Sequence, residues 1–368
     1  MRRWSPRRCR RYWRCPGREE RGAVAVLAAL TSVVLIGILG VVADLGMSYA
    51  NQRRDQNGVD AAALAAGRRI AAAAGVTDSC AALAIRYASG TDAPLRAYTE
   101  QMFGLNVTPD ASLTASTSGL SVSCQTVQGT SQVLVVRVEG GQRSPAFVGG
   151  ILGVKDLPVA ATAQSIVAPL ASVANLRPFA VCATTATQVR ASPGSTFTLP
   201  MDNADHGCGT SAGNWATLDF DGGSNSTTDL QTWIAAGFDP AFSAGSHPLV
   251  YGDPGFNVNA TQTYLDQMIT ARVFVLPVFD SVFYNGSNAQ YRIVGFLTAT
   301  PCRYKVNNHT GPASGPVNAE CGAAPSPAPS SYIQLRYSAY TPVGALNLHC
   351  TLADPTCDTG TRSATLAD

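Results

Sequence analysis

Charged residues make up only 14 % of this 368-residue chain, a profile that suits a β-rich extracytoplasmic protein better than a cytosolic enzyme. Histidine is rarer still, confined to His206, His247, His309 and His349. None stands in an H-E-x-x-H spacing, which removes the metalloprotease helix. The chain has no G-x-S-x-G elbow, no G-x-x-x-x-G-K loop and no dinucleotide fingerprint after a strand. None of the ten cysteines falls in a C-x-x-C pair, which argues against a zinc ribbon or a thioredoxin-like centre. Catalysis needs a nucleophile, a base and a group to hold developing charge. No such set is legible, so no enzyme activity, cofactor or metal is expected. Two local clusters come nearest. Asp202, Asp205, His206 and Cys208 lie together in MDNADHGCG. Asp219 and Asp221 open DFDGGSNSTTD like a calcium loop, but its twelfth position is Leu230 where a bidentate Glu is needed. Both read as turn-rich loops.

What charge there is sits unevenly. Residues 1–21 hold nine arginines against Glu19 and Glu20, while the remainder is mildly acidic. The tip RRWSPRRCRRYWRC mixes Arg with aromatics, as some nucleic-acid binders do. Its place directly before an apolar run gives the simpler account of topology and attraction to anionic headgroups, so no nucleic-acid partner is expected.

That run, from Ala23 to Ala43, carries no charge. As a helix it would extend roughly 32 Å, the thickness of a bilayer core. By the positive-inside rule the arginine-rich end stays in the cytoplasm and the bulk of the chain is exported. A cleaved secretion signal is the competitor, since Val41-Val42-Ala43 offers small residues at the positions a signal peptidase reads. The run is longer than a signal's apolar region, however, and the residues after it continue as helix. A retained anchor is the favoured expectation.

Past the run, Leu45, Tyr49, Gln52, Gln56, Val59, Ala63, Ala66 and Ile70 recur at spacings of four and three, a helical period close to a heptad seam. Arg53, Arg54, Asp60, Arg68 and Arg69 fall away from it. The stretch DAAALAAGRRIAAAAG has high helix propensity, and its small side chains allow close helix approach. The seam fits either packing on the chain's own domain or packing against another molecule, and the two are compatible.

These residues carry a resemblance. The segment RGAVAVLAALTSVVLIGILGVVADLGMSYANQRRDQNGVDAAALAAGRRIA resembles the N-terminal part of TadE/TadG-like Flp (tight-adherence) pilus-assembly proteins. The shared pattern is Arg21-Gly22 before the span, Asp44-Leu45-Gly46, Tyr49, Arg53-Arg54-Asp55-Gln56-Asn57, and the run from Asp60 to Ala65. Pilins and TadE-like minor pseudopilins carry a Glu five residues after the cleavage glycine; counting from Gly22, that position is Leu27. The span therefore resembles the TadG-like members, whose anchor is kept. Some of those also bear an Asp-x-Ser-x-Ser metal site, absent from this sequence. The resemblance implies a structural or assembly role beside other Tad pilus or pseudopilin components, in the membrane. A membrane-anchored surface module that binds an envelope ligand, without a pilus role, is the alternative.

The expected fold is α+β: a transmembrane helix (22–43) after a basic tip (1–21), then a helix with antiparallel strands (44–168). Within the latter, residues 77–103 read as a short helix and a polar connection. SLTASTSGLSVSCQ and SQVLVVRVEGG alternate as strands do, a further strand lies near 157–167, and SPAFVGGILGV sits between. A second, β-rich unit comes next (171–357), with TDLQTWIAAGF (228–238) as its one helical candidate. Pro277 marks an edge or a bulge, residues 310–331 form a Pro-rich loop, and 358–368 form a disordered tail. The eight cysteines after the apolar run suit an oxidising compartment. Nearest-neighbour pairing (Cys80–Cys124, Cys182–Cys208, Cys302–Cys321, Cys350–Cys357) is the simplest of about a hundred connectivities.

Overall fold

A computed structural model describes residues 18–367 with gaps, the longest being 108–111, 114–118, 202–207, 209–216, 223–226, 254–257 and 313–320. The basic tip lies almost wholly outside the described residues, as do Asp202, Asp205, His206 and the middle of the Pro-rich loop. The fold is α+β, with a long apolar helix followed by antiparallel sheets.

No proline interrupts the chain between Pro16 and Pro94, and one helix, α1, runs unbroken over Arg18–Ala73. At 1.5 Å per residue its 56 residues span roughly 84 Å. Two short helices come after it. Helix α2 (Cys80–Arg86) is capped by the Ser79 side chain, and α3 (Ala93–Gly104) by Asp92, whose carboxylate accepts from Leu95 N at 2.7 Å. Helix α3 occupies most of what the sequence suggested as a polar connection; its Asp-x-Pro start is a standard capping pattern.

The first sheet begins with β1 (Ser112–Leu113), β2 (Leu120–Val127) and β3 (Ser131–Pro145). After a one-turn helix, α4 (Phe147–Ile151), β4 (Asp156–Val173) returns antiparallel to β3. Their pairing, from Leu134↔Val167 to Pro145↔Asp156, makes a hairpin roughly 40 Å long. One face of this sheet packs on α1, α2 and α3, burying Val59, Ala63, Ala66, Ile70, Leu83, Leu95 and Phe103 against Leu134, Val136, Val138 and Val167.

The second unit holds β5 (Val181–Cys182), α5 (Ala183–Arg190), β6 (Thr196–Pro200), β7 (Leu218–Asp219), α6 (Thr227–Ala235), β8 (Phe242–Ser243), β9 (Leu249–Gly252) and α7 (Val258–Ile269). It continues with β10 (Phe274–Phe283), β11 (Gln290–Val306), β12 (His309–Gly311) and β13 (Tyr332–Tyr337). The strand order is β5-β10-β11-β13-β6, with β9 and β12 on β11 and β7 on β9. One sheet face packs on the helices through Val189, Leu230, Ile234, Leu265 and Met268. The other meets Leu170, Val173 and Leu176, where β4 runs on beyond the first sheet. Helix α6 is the expected one, whereas α5 and α7 were not legible. The large apolar residues Tyr264, Leu265, Met268 and Ile269 of α7 make a stripe of under two turns, confined to its second half. Pro277 sits just before a register shift of the β10–β11 ladder, between Val278 and Phe279, as a strand proline requires.

The expected disordered tail is a correction. Strand β14 (Gly344–Leu346) pairs with the far end of β4, and β15 (Arg362–Leu366) pairs with β4 from Pro169 to Ser165. The first sheet thus runs β2-β3-β4-β15, with β1 also on β3 and with β8 and β14 on the far end of β4, and the second unit is inserted between β4 and β15. The segment RSATL has one large apolar side chain, Leu366, and its strand exists because β4 offers a free edge. All four nearest-neighbour cystines are present: Cys80–Cys124, Cys182–Cys208, Cys302–Cys321 and Cys350–Cys357.

Candidate functional site

Helix α1 changes character along its length. From Val24 to Tyr49 its large apolar side chains are exposed, Leu35, Ile36, Leu39 and Val42 all by more than half. Its most apolar window has a mean hydropathy of 2.7 and no buried residue. It is the single helix among the described residues long and apolar enough to cross a membrane. From Asp55 onward one face is covered by the sheet.

The β3–β4 hairpin runs down the side of α1, and a ladder of polar contacts joins them. At the top, Ser165 Oγ donates to the Ala63 carbonyl at 2.7 Å. Next, Gln56 Nε2 donates to the Thr162 carbonyl at 3.1 Å and to Asp60 Oδ1 at 2.8 Å. Gln142 Nε2 donates to Asp55 Oδ1 at 3.0 Å, and Asn51 Nδ2 donates to Ser144 Oγ at 3.0 Å. At the bottom, the Asp44 carboxylate accepts from the backbone N–H groups of Phe147, Val148 and Gly149 at 2.8, 3.0 and 2.9 Å. An acid against the first N–H groups of a turn satisfies donors that have no partner within it. The spacings agree. Ala63 to Asp44 is roughly 28 Å along a helix, and Ser165 to Asp156 roughly 30 Å along a strand.

Asp55 is fully buried, and burial pushes its carboxyl above the ordinary range, with the Gln142 amide opposing. Gly67 sets how closely the strands approach. A Cβ there would lie 2.5 Å from Ser165 Oγ and 2.9 Å from Ala364 Cβ of β15.

The residues of the sequence seam divide between two environments. Val59, Ala63, Ala66 and Ile70 are wholly buried in the chain's own core. Leu45 and Tyr49 are exposed by 59 % and 57 %; Gln52 is also exposed, and Gln56 takes part in the ladder. Of the motif residues, Asp44 and Asp60 are hydrogen-bonded as above, Gly46 faces open space, and Gly22 lies in the first turns of α1. Asn51 was missed; its signal is the i, i+4 relation to Asp55, which puts both on the hairpin side. The reverse face of α1 bounds a groove of about 620 Å³ lined by Ala61, Leu64, Ala65, Arg68, Ala72 and Tyr98. Over this groove the Arg69 guanidinium stacks on Tyr98, 4.7 Å from the ring centre.

Residues 22–84, from the second turn of α1 into α2, match the family described as "Putative Flp pilus-assembly TadE/G-like". This segment is TadE/G-like. The TadE/G-like match takes in the helix side of every rung in the ladder, from Asp44 to Ala63, whereas the hairpin side lies beyond it. No curated protein and no solved structure matches the chain. The TadE/G-like match and the bare apolar helix together support a membrane-anchored, Tad-related protein.

In the second unit, Asp219 lies buried in β7, and burial, with Asp221 beside it, pushes its carboxyl up to about 6. Cys208, from the other sequence cluster, is bonded to Cys182.

Proposed function

We propose that the chain is a single-pass, N-in membrane protein of the TadG-like type. It would serve as a structural component in the assembly or anchoring of a Flp/Tad pilus, without catalysis. The supporting observation is continuity: one helix is bare and apolar over its first part and clamped to a sheet over the rest. A displacement of the exported part therefore reaches the membrane segment without an intervening hinge. The orientation rests on the arginine-rich tip and the positive-inside rule. The exported side is also where eight paired cysteines belong.

Partner helices, from pseudopilins or the assembly platform, would pack on exposed Leu45 and Tyr49 and in the groove beside Ala61 and Ala65. A photo-crosslinking residue at Leu45 or Tyr49 should yield adducts with other Tad components, and a deletion strain should lose surface pili. Undiminished pili in that strain would refute the assembly role.

A surface-binding module is the second reading, favoured by exposed Tyr251, Phe283 and Tyr284. Tyr251 and Phe283 both pair with Gln290, from opposite sides of β11. Aromatic side chains in such a row suit a polysaccharide ligand. Retained pili with lost adhesion in the deletion strain would select this reading.

A further inference from the structure

We infer that the β3–β4 tip is a second membrane contact, a wedge that enters the outer interface beside the span; this rests on α1 crossing a bilayer. The tip AFVGGILGV is apolar, yet Phe147, Ile151 and Val154 face outward. Phe147 is 65 % exposed, Ile151 84 % and Val154 48 %. Exposed side chains of this size, grouped on one turn, are not expected of a loop that faces water alone.

Their position supplies the occupant. Asp44 binds the N–H groups of residues 147–149, so the tip is fixed at the point where the uncharged run ends. Val148 reaches further down: a Cβ on Gly40 would lie only 2.0 Å from Val148 Cγ2. Gly40 is one helical turn below Asp44, or about 6 Å toward the lipid, within the depth at which interfacial segments insert. The exposed faces of Ile38, Leu39, Val41 and Val42 lie at the same level. The wedge thus continues the lipid-facing surface of the span. Arg143 and Lys155 stand where the strands enter the tip, exposed, at the level this proposal gives to phosphate headgroups; Arg143 also pairs with Asp156 at 2.7 Å.

An acid at the membrane boundary would otherwise need water. Here its charge is met by backbone N–H groups that would themselves be costly to bury unpaired. Asp44 and the tip therefore make each other compatible with the interface.

The test uses the full chain in proteoliposomes, with a genetically encoded fluorescent amino acid at position 147, 151, 36 or 284. Lipids brominated near the headgroup end of the acyl chain serve as quencher for the tip, and lipids brominated near its middle for position 36, about 12 Å below Asp44. Positions 147 and 151 should lose emission relative to unbrominated lipid and emit to the blue of position 284, which should not be quenched. Quenching at 36 without quenching at 147 and 151 overturns the wedge and leaves the span intact. No quenching at 36 overturns the span, and the wedge with it. Gly40→Leu, which displaces Val148, should reduce quenching at 147 and 151 while leaving that at 36 unchanged. Unaltered quenching in that variant would also count against the packing described.

Discussion

The ion pair Asp358–Arg362 offers a quantitative test of how β15 is held. Both side chains are wholly inaccessible, and Arg362 Nη2 and Nε donate to Asp358 Oδ2 at 2.7 and 2.9 Å. Asp358 also accepts from Ala353 N and Gly360 N, each at 2.8 Å. Replacing Arg362 with Met leaves a buried carboxylate without its cation, a loss of about 3–5 kcal/mol. In a chain of this size that corresponds to a fall in Tm of about 4–6 °C. The double variant Asp358→Asn/Arg362→Met removes both charges and keeps an oxygen for one of the N–H groups, so it should recover at least half the loss. The assay is thermal unfolding of the detergent-solubilised chain followed by near-UV circular dichroism, with amide exchange read separately in β15 and β4. The single variant should speed exchange in β15 first. If Arg362→Met cost less than about 1 kcal/mol, the pair would be behaving as a surface salt bridge and the account of β15 would be wrong.

Three further outcomes are expected. Ala63→Arg, at a fully buried position, should destabilise the chain by about 3 kcal/mol or more through overpacking and a buried charge. Ala65→Arg, on the groove side, should stay within about 0.5 kcal/mol; equal melting temperatures for the two would refute the seam. Asp219 binds its proton more tightly in the folded chain, so its contribution to stability should fall as pH rises from about 4 to 6. Asp219→Asn should flatten the Tm–pH profile over that window relative to the parent; parallel profiles would show that Asp219 is not the group concerned. Cys80–Cys124 closes 44 residues between α2 and β2. Its removal by paired serine substitutions should cost about 4 kcal/mol, measured by urea denaturation.

The strength of local signals explains what could be read from the sequence. The apolar run and the heptad-like spacing through Val59, Ala63, Ala66 and Ile70 are periodic over many residues, and they located the helix and its buried face. Cystine partners close in sequence gave the right pairing at every pair. Helix α7 and strand β15 failed for a common reason: their definition lies in a neighbour. RSATL has no apolar alternation of its own and is made a strand by the edge of β4. The role of Asp44 was equally hidden. A carboxylate after an apolar run reads as a boundary mark, and only the approach of residues 147–149, a hundred positions later, gives it donors.

The insertion of one unit between β4 and β15 bears on the order of events during biogenesis. On the proposed N-in reading, α1 partitions early during vectorial transfer, followed by β2, β3 and β4. The outer margin of β4 from Ser165 to Pro169 then stays raw until everything from residue 174 to 361 has emerged. An unpaired margin of that kind recruits stray strands, and slow, long-range closure prolongs the hazard. A translation product truncated before residue 362 would reach the bilayer with its helix in place but its sheet open, prone to join with a neighbour's.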